Sequence, residues 1–152
     1  MLIRLLSFLL INFAALGIGA YFTGPGVASD WYQNLIQAPW TPPGWVFGAA
    51  WTIIMICFSL YMAFIWESVE DIKALVLLYL IQLILNIAWN PLFFHFRQIG
   101  FGLIVISSLL FCVLVISYKY WPKLKFKSLL IIPYAIWLFI ATSLNMYIWI
   151  MN

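Results

Sequence analysis

Three amides and three tryptophans are the side chains of this sequence best placed to act on something other than the protein itself. Gln82, Asn86 and Asn90 recur at i, i+4 and i+8, which sets them on one face of a helix. They stand in an apolar run, where an amide needs a partner: either a neighbouring helix, bonded at about 0.6 kcal/mol per contact, or a ligand. Trp51, Trp89 and Trp137 also lie within apolar runs. That is too deep for the headgroup-level belt, which accounts for Trp45, Trp66, Trp121 and Trp149. Indole walls with a few polar groups suit a planar, mostly apolar ligand.

Other chemistry is poorly provided for. Asp30, Glu67, Glu70 and Asp71 all fall in connections, so no carboxylate pair faces a buried site and no nucleophile has a base beside it. Conventional acid–base or covalent catalysis is not expected, and no cofactor is required. Indole photochemistry on a bound pigment would need only proximity. Cys57 and Cys112 sit inside apolar runs without metal-ligand spacing and read as packing residues, so no metal site is expected. His95 could ligate haem iron in principle, but at the end of a span it reads as a solvated histidine. With no deep charge, ion-coupled transport is disfavoured.

The elements that must position these groups follow from composition. Of 152 residues, 67% are hydrophobic and 7% charged, too little polar surface to coat a water-soluble domain. The expectation is an all-α membrane protein, one domain over residues 1–152, folded as a five-transmembrane-helix bundle. The spans run about 2–22, 45–66, 73–94, 99–118 and 129–150, each matched to a hydrocarbon core of about 30 Å. Arg4 and the small residues Gly17-Ile18-Gly19-Ala20 imitate a signal peptide, but the apolar run continues past them. The net charge of +3 comes from sparse basic residues between apolar runs, a topology signal and not a nucleic-acid surface.

Lys and Arg near span ends stay on the cytoplasmic side. Arg4, Lys73, Lys119, Lys123, Lys125 and Lys127 share one side and Arg97 has the other, so the N-terminus is expected inside and the C-terminus outside. At about 1.5 Å per residue, Asn86 and Trp51 each lie about 10 Å below the outer surface and Trp137 near mid-membrane, with Ala141 and Asn145 following outward. The external loop 23–44 contains Gly24-Pro25-Gly26, Pro39 and Pro42-Pro43-Gly44, which predict turns and extended chain. Its Trp31, Tyr32 and Trp40 favour a loop folded over the bundle mouth. Pro91 and Pro133 are expected to kink their helices, freeing the carbonyls of Ile87 and Leu129. Ala15 with Gly19, and Gly44 with Gly48, allow close helix contact within the bundle or across a homodimer.

The ordered motifs Trp31-Tyr32, Pro39-Trp40-Thr41-Pro42-Pro43-Gly44, Trp51-Thr52, Asn86-Ile87-Ala88-Trp89-Asn90-Pro91-Leu92-Phe93-Phe94 and Pro133-Tyr134 with Trp137 resemble the TspO/MBR family. This is the tryptophan-rich sensory protein family, which includes the mitochondrial translocator protein, or peripheral-type benzodiazepine receptor. The resemblance covers nearly the whole chain. It implies a five-helix bundle, often a homodimer, and the expected location is a bacterial cytoplasmic membrane. It also implies a pocket under the first long loop for porphyrins, haem-pathway tetrapyrroles and benzodiazepine-type compounds.

Carried over residue by residue, the resemblance puts Tyr32, Trp51, Asn86, Trp137 and Ala141 at pocket positions and Trp40 and Pro42 in the lid. Phe93 and Asn145 are further candidates, and Trp89 and Asn90 join the proposed wall. Trp51 and Trp137 match the pair to which light-driven porphyrin degradation is attributed in bacterial relatives. The cholesterol-recognition pattern is incomplete, because Leu144 and Tyr147 are followed by no basic residue. The leading expectation is a membrane receptor or sensor for a porphyrin-type ligand. The alternatives are a light-dependent porphyrin-degrading catalyst and, ranked lower for want of an internal repeat or coupling residue, a transporter of porphyrin or lipid.

Overall fold

The computed structural model describes residues 1–152 and consists of helices and their connections, with no strand. In chain order it has α1 (Leu2–Val27), a single turn α2 (Asp30–Gln33), α3 (Gly44–Ser68), α4 (Ile72–Asn90), α5 (Ile99–Leu124) and α6 (Ile132–Met151). Four helical stretches are long and apolar enough to cross a membrane: Leu2–Val27, Gly44–Ser68, Ile72–His95 and Ile99–Met151. The last of these is α5 and α6 in one run. It doubles back at Lys125, whose φ of 50° breaks the helix, and the two halves pack side by side. Gly102 of α5 then lies against Asn145 of α6, and Gly100 against Trp149. Leu10, Ile84 and Phe111 all face outward, the apolar exterior of a bundle solvated by hydrocarbon.

Several expected boundaries move. α1 continues through Gly24-Pro25-Gly26 to Val27, where the composition of loop 23–44 predicts turns and extended chain. Pro25 sits two residues from the helix end at Val27, so the one N–H bond it removes, to the Tyr21 carbonyl, falls in the last turn and leaves the body of the helix intact. Gly26 serves the packing instead: a Cβ there would lie 2.5 Å from Cβ of Phe94. α5 runs past Tyr118 to Leu124. Pro133 does not kink the fifth long helix. Residues 129–131, expected to begin that helix, belong to a 3-10 segment, Lys125–Ile131, and Pro133 stands in the first turn of α6. A proline is tolerated there because its missing N–H has no intrahelical partner to lose. The Leu129 carbonyl is not freed either, since it accepts from the Ile132 N–H. Pro91 instead opens a π-turn, Pro91–His95, in which the Phe96 N–H reaches the Pro91 carbonyl at 2.9 Å.

Side-chain hydrogen bonds show α4 to be the hub. Tyr79 donates to Asn12 Oδ1 at 2.9 Å, and Asn12 Nδ2 donates to Ser59 Oγ at 2.8 Å, tying α4 to α1 and α1 to α3 in a fully buried chain. Thr23 Oγ1 donates to Asn90 Oδ1 at 2.7 Å, a second α1 to α4 tie. Ala15 and Gly19 are buried on this contact, with Gly19 against the Asn90 side chain, so that small-residue pair packs α1 inside its own bundle. The seam between α3 and α6 is packed but apolar, with none of the side-chain bonds that tie α4 to α1 and α6.

The basic residues gather at one end. The N-terminal ammonium and Arg4 both pair with Glu67, at 2.8 and 3.3 Å, and Lys127 Nζ lies 4.1 Å from the centre of the Phe64 ring. Arg97 is at the opposite end, over Trp31.

Candidate functional site

Most of the expected site residues fall into two groups. In the first, Tyr134 of α6 is fully buried and its hydroxyl receives two amide donors, Gln82 Nε2 at 2.7 Å and Asn86 Nδ2 at 2.8 Å. The Tyr134 ring has Trp51 edge-on at 6.0 Å and Phe58 edge-on at 5.3 Å. Phe47, one turn before Trp51, meets Trp137, one turn after Tyr134, at 5.3 Å. Trp51 therefore lies a turn deeper than Trp137, reversing the order obtained by counting residues. Counting from the span ends takes α3 and α6 to be flush, whereas α6 extends beyond the start of α3 and the loop runs up beside it, with Trp40 against Ser143 and Tyr147. Ala141 is buried one turn above Trp137.

The Trp137 Nε1–H is buried and has no acceptor, and Gln82 Oε1 is likewise without a partner. Trp137 also forms part of the wall of an apolar hollow of about 350 Å³ between α3 and α6, with Ala50, Ile53, Ile54, Ile132, Pro133 and Ile136. The hollow opens on the flank where Ile53 and Ile136 are exposed.

The second group lies nearer the loop end. Trp89 stacks on Phe93 at 5.8 Å, and Trp31 and Tyr32 of α2 lie edge-on to Phe93 at 5.8 and 6.3 Å. Asn145 joins it to α6. In the orientation its neighbours require, the Asn145 oxygen accepts from Trp89 Nε1 at 3.2 Å and its nitrogen donates to the Ile99 carbonyl at 3.2 Å. Burial raises the Tyr32 hydroxyl above its ordinary pKa, so it remains a neutral donor. Asn90 belongs to neither group, because its amide is turned to Thr23 and α1. His95 is exposed, edge-on to Phe22.

The 28–43 connection closes over α6. Trp40 Nε1 donates to Ser143 Oγ at 3.2 Å, and its ring is edge-on to Tyr147 at 5.3 Å. Pro42 is half-buried at the start of α3. The Asn152 amide clamps the Ile36 peptide from both sides: Oδ1 accepts from the Ile36 N–H at 2.9 Å and Nδ2 donates to the Ile36 carbonyl at 3.3 Å.

Comparison with known proteins gives the family. The TspO/MBR family model matches residues 7–150. The chain belongs to the TspO/MBR family. The tryptophan-rich protein TspO of Archaeoglobus fulgidus is 33% identical over 153 residues, covering 97% of this chain and 94% of its own. Protein CrtK of Rhodobacter capsulatus is 30% identical over 137 residues, with coverage of 88% and 83%. The human translocator protein is 32% identical over 128 residues, with coverage of 82% and 76%. Family membership and apolar helices together make this an integral membrane protein.

Within this TspO/MBR bundle, sequence reasoning missed the partners that decide what each amide does. Tyr134, Tyr79, Asn12 and Ser59 are all essential to the buried bonding. A lone Asn12 in the first apolar run was the available signal for one of them. The Asn152 clamp carries a modest prediction. Asn152→Ala is expected to speed amide exchange at Ile36 severalfold while costing under about 1 kcal/mol of stability, as befits an exposed pair of hydrogen bonds. Exchange mass spectrometry of the loop checks this, and an unchanged rate would show that the clamp does not hold the loop.

Proposed function

We propose that this protein is a membrane receptor or sensor for a porphyrin-type tetrapyrrole, also able to take flat benzodiazepine-like molecules, bound between Trp51, Trp137 and Ala141 beneath the 28–43 connection. The observation that carries this reading is the buried Trp137 N–H without an acceptor beside an apolar hollow. An unpaired donor in an apolar interior is costly, and a ring nitrogen or carbonyl of a bound ligand would relieve it. Asn86 supports the reading because Tyr134 occupies its amide nitrogen and leaves its oxygen free of side-chain donors. In the same reading all five long helices cross the bilayer, with the basic end in the cytoplasm of a bacterial cell. Two copies pair through exposed small faces such as Gly44 and Gly48, which have open space above them.

The hollow of about 350 Å³ is at the small end of ligand pockets, about 300–1,000 Å³. A full macrocycle requires α3 and α6 to part, and their seam carries no side-chain hydrogen bond to resist this.

Titration of the purified protein with protoporphyrin, followed by tryptophan fluorescence, tests the proposal. Trp137→Phe and Trp51→Phe are each expected to weaken binding about five- to tenfold, equivalent to about 1–1.4 kcal/mol. Unchanged affinity in both would overturn the pocket. Illumination of the complex separates sensing from destruction: loss of the porphyrin bands that disappears in the double variant would assign photochemistry to the indoles.

A further inference from the structure

The basic end of the bundle carries a groove that the receptor reading leaves unused. Trp121, Pro122, Lys125, Phe126 and Leu129 line a hollow of about 420 Å³ where α5 turns into α6. We infer that this groove is a binding site for an anionic phospholipid, its phosphodiester held by Lys125 and neighbouring lysines and its acyl chains lying along Trp121, Phe126 and Leu129.

Charge selects the occupant. Lys119, Lys123, Lys125 and Lys127 fall within nine residues at this turn, and none is in an ion pair. The only salt bridges use the N-terminal ammonium and Arg4, both on Glu67. Three carboxylates share this end. Glu67 is already engaged, while Glu70 and Asp71 stand in the α3 to α4 connection without a basic partner within salt-bridge distance. With Lys127 turned to Phe64 and within the field of Glu67, the turn presents Lys119, Lys123 and Lys125 without an ion-pair partner at an end of the bundle, and basic pockets between helices at the membrane surface bind acidic head groups.

The turn is also built to hold its shape. Leu124, Ser128 and Ile131 are buried, Ser128 Oγ donates to the Trp121 carbonyl at 3.5 Å, and the Lys125 N–H donates to that same carbonyl. Phe126, between two lysines, is left 82% exposed, and Trp121 and Leu129 are partly so. Alternating ammonium groups and apolar side chains match a molecule that is anionic at one end and hydrocarbon at the other. Lys125 occupies this turn at φ 50°, a conformation that glycine adopts at lower cost. Lys125→Gly therefore removes the charge while relieving strain, which separates binding from folding.

Native mass spectrometry of the full-length protein in detergent, titrated with phosphatidylglycerol or phosphatidylcholine, tests the site. We expect phosphatidylglycerol to bind at least tenfold more tightly. That preference should fall roughly fivefold in Lys125→Gly and vanish in Lys123→Gln/Lys125→Gln/Lys127→Gln, on the scale of one interfacial lysine each. The thermal midpoint of Lys125→Gly should not fall. Equal affinity for the two lipids, a preference intact in the triple variant, or displacement by inorganic phosphate at the lipid's own concentration would each overturn the assignment. Porphyrin binding plays no part in the readout, so the two proposals fail separately.

Discussion

Gly26→Ala will destabilise the bundle by about 1–3 kcal/mol, the usual range for forcing a methyl group into a filled contact, and Gly26→Leu will do so by more. The Cβ of residue 26 would lie 2.5, 2.6 and 2.7 Å from Cβ, Cδ1 and Cγ of Phe94. Those atoms are close to the backbone of the π-turn, so no rotamer change clears them, and α1 or the turn must shift. The shift would propagate, because Phe94 also meets Tyr32 at 5.5 Å and Trp89 at 5.8 Å. Gly17 and Gly24 are the controls: both lie in α1, and a methyl group on either would have nothing within 4 Å. Alanine there should be neutral or stabilising by up to about 1 kcal/mol, through helix propensity. Thermal unfolding of the three variants in one detergent decides the matter, and equal midpoints for Gly26→Ala and Gly17→Ala would refute the close contact.

Tyr134→Phe is expected to be the second severe change, costing about 1–4 kcal/mol. The ring and its contacts with Trp51 and Phe58 survive, but Gln82 Nε2 and Asn86 Nδ2 lose their common acceptor. An orphaned buried donor costs about 1–3 kcal/mol in soluble proteins, and interhelical hydrogen bonds in membranes average about 0.6 kcal/mol, which sets the lower bound. Tyr61→Phe should cost much less, because that hydroxyl reaches only the Ile116 carbonyl, at 3.4 Å. A double-mutant cycle of Tyr134→Phe with Gln82→Leu checks the origin of the loss. The two changes should be strongly non-additive, since once Tyr134 is phenylalanine there is no bond left for Gln82 to lose. Simple additivity would mean that the hydroxyl acts through something other than these amides.

Much of the helix content was legible in the sequence. Apolar runs of about 20 residues admit little but membrane helices, and the structure places long helices on all five of them. The differences lie at the ends. Gly24-Pro25-Gly26 has the composition of a turn, but packing against Phe94 holds it in α1. Residues 129–131 continue an apolar run and suggest the start of a helix, but burial of Ser128 and Ile131 holds them in a tighter 3-10 path. At such places local propensity differs by little between alternatives and tertiary contact decides.

The candidate site divides along the same line. Spacing alone put Gln82, Asn86 and Asn90 on one face of α4, because 3.6 residues per turn is a property of the backbone. Which way each amide was spent depended on residues 48 to 67 positions away. Tyr134 takes Gln82 and Asn86, and Thr23 takes Asn90. Depth counting brought Trp51 and Trp137 into the same region, but their order, and the absence of an acceptor for the Trp137 N–H, depended on how far α6 rises past α3. The sequence by itself determined a membrane protein with a polar helix face among indoles, since hydropathy and helical period are local and additive. Only the tertiary structure decided which polar groups are satisfied within the protein and which are left without a partner, because hydrogen-bond partners are fixed by distances across helices that no sequence separation encodes.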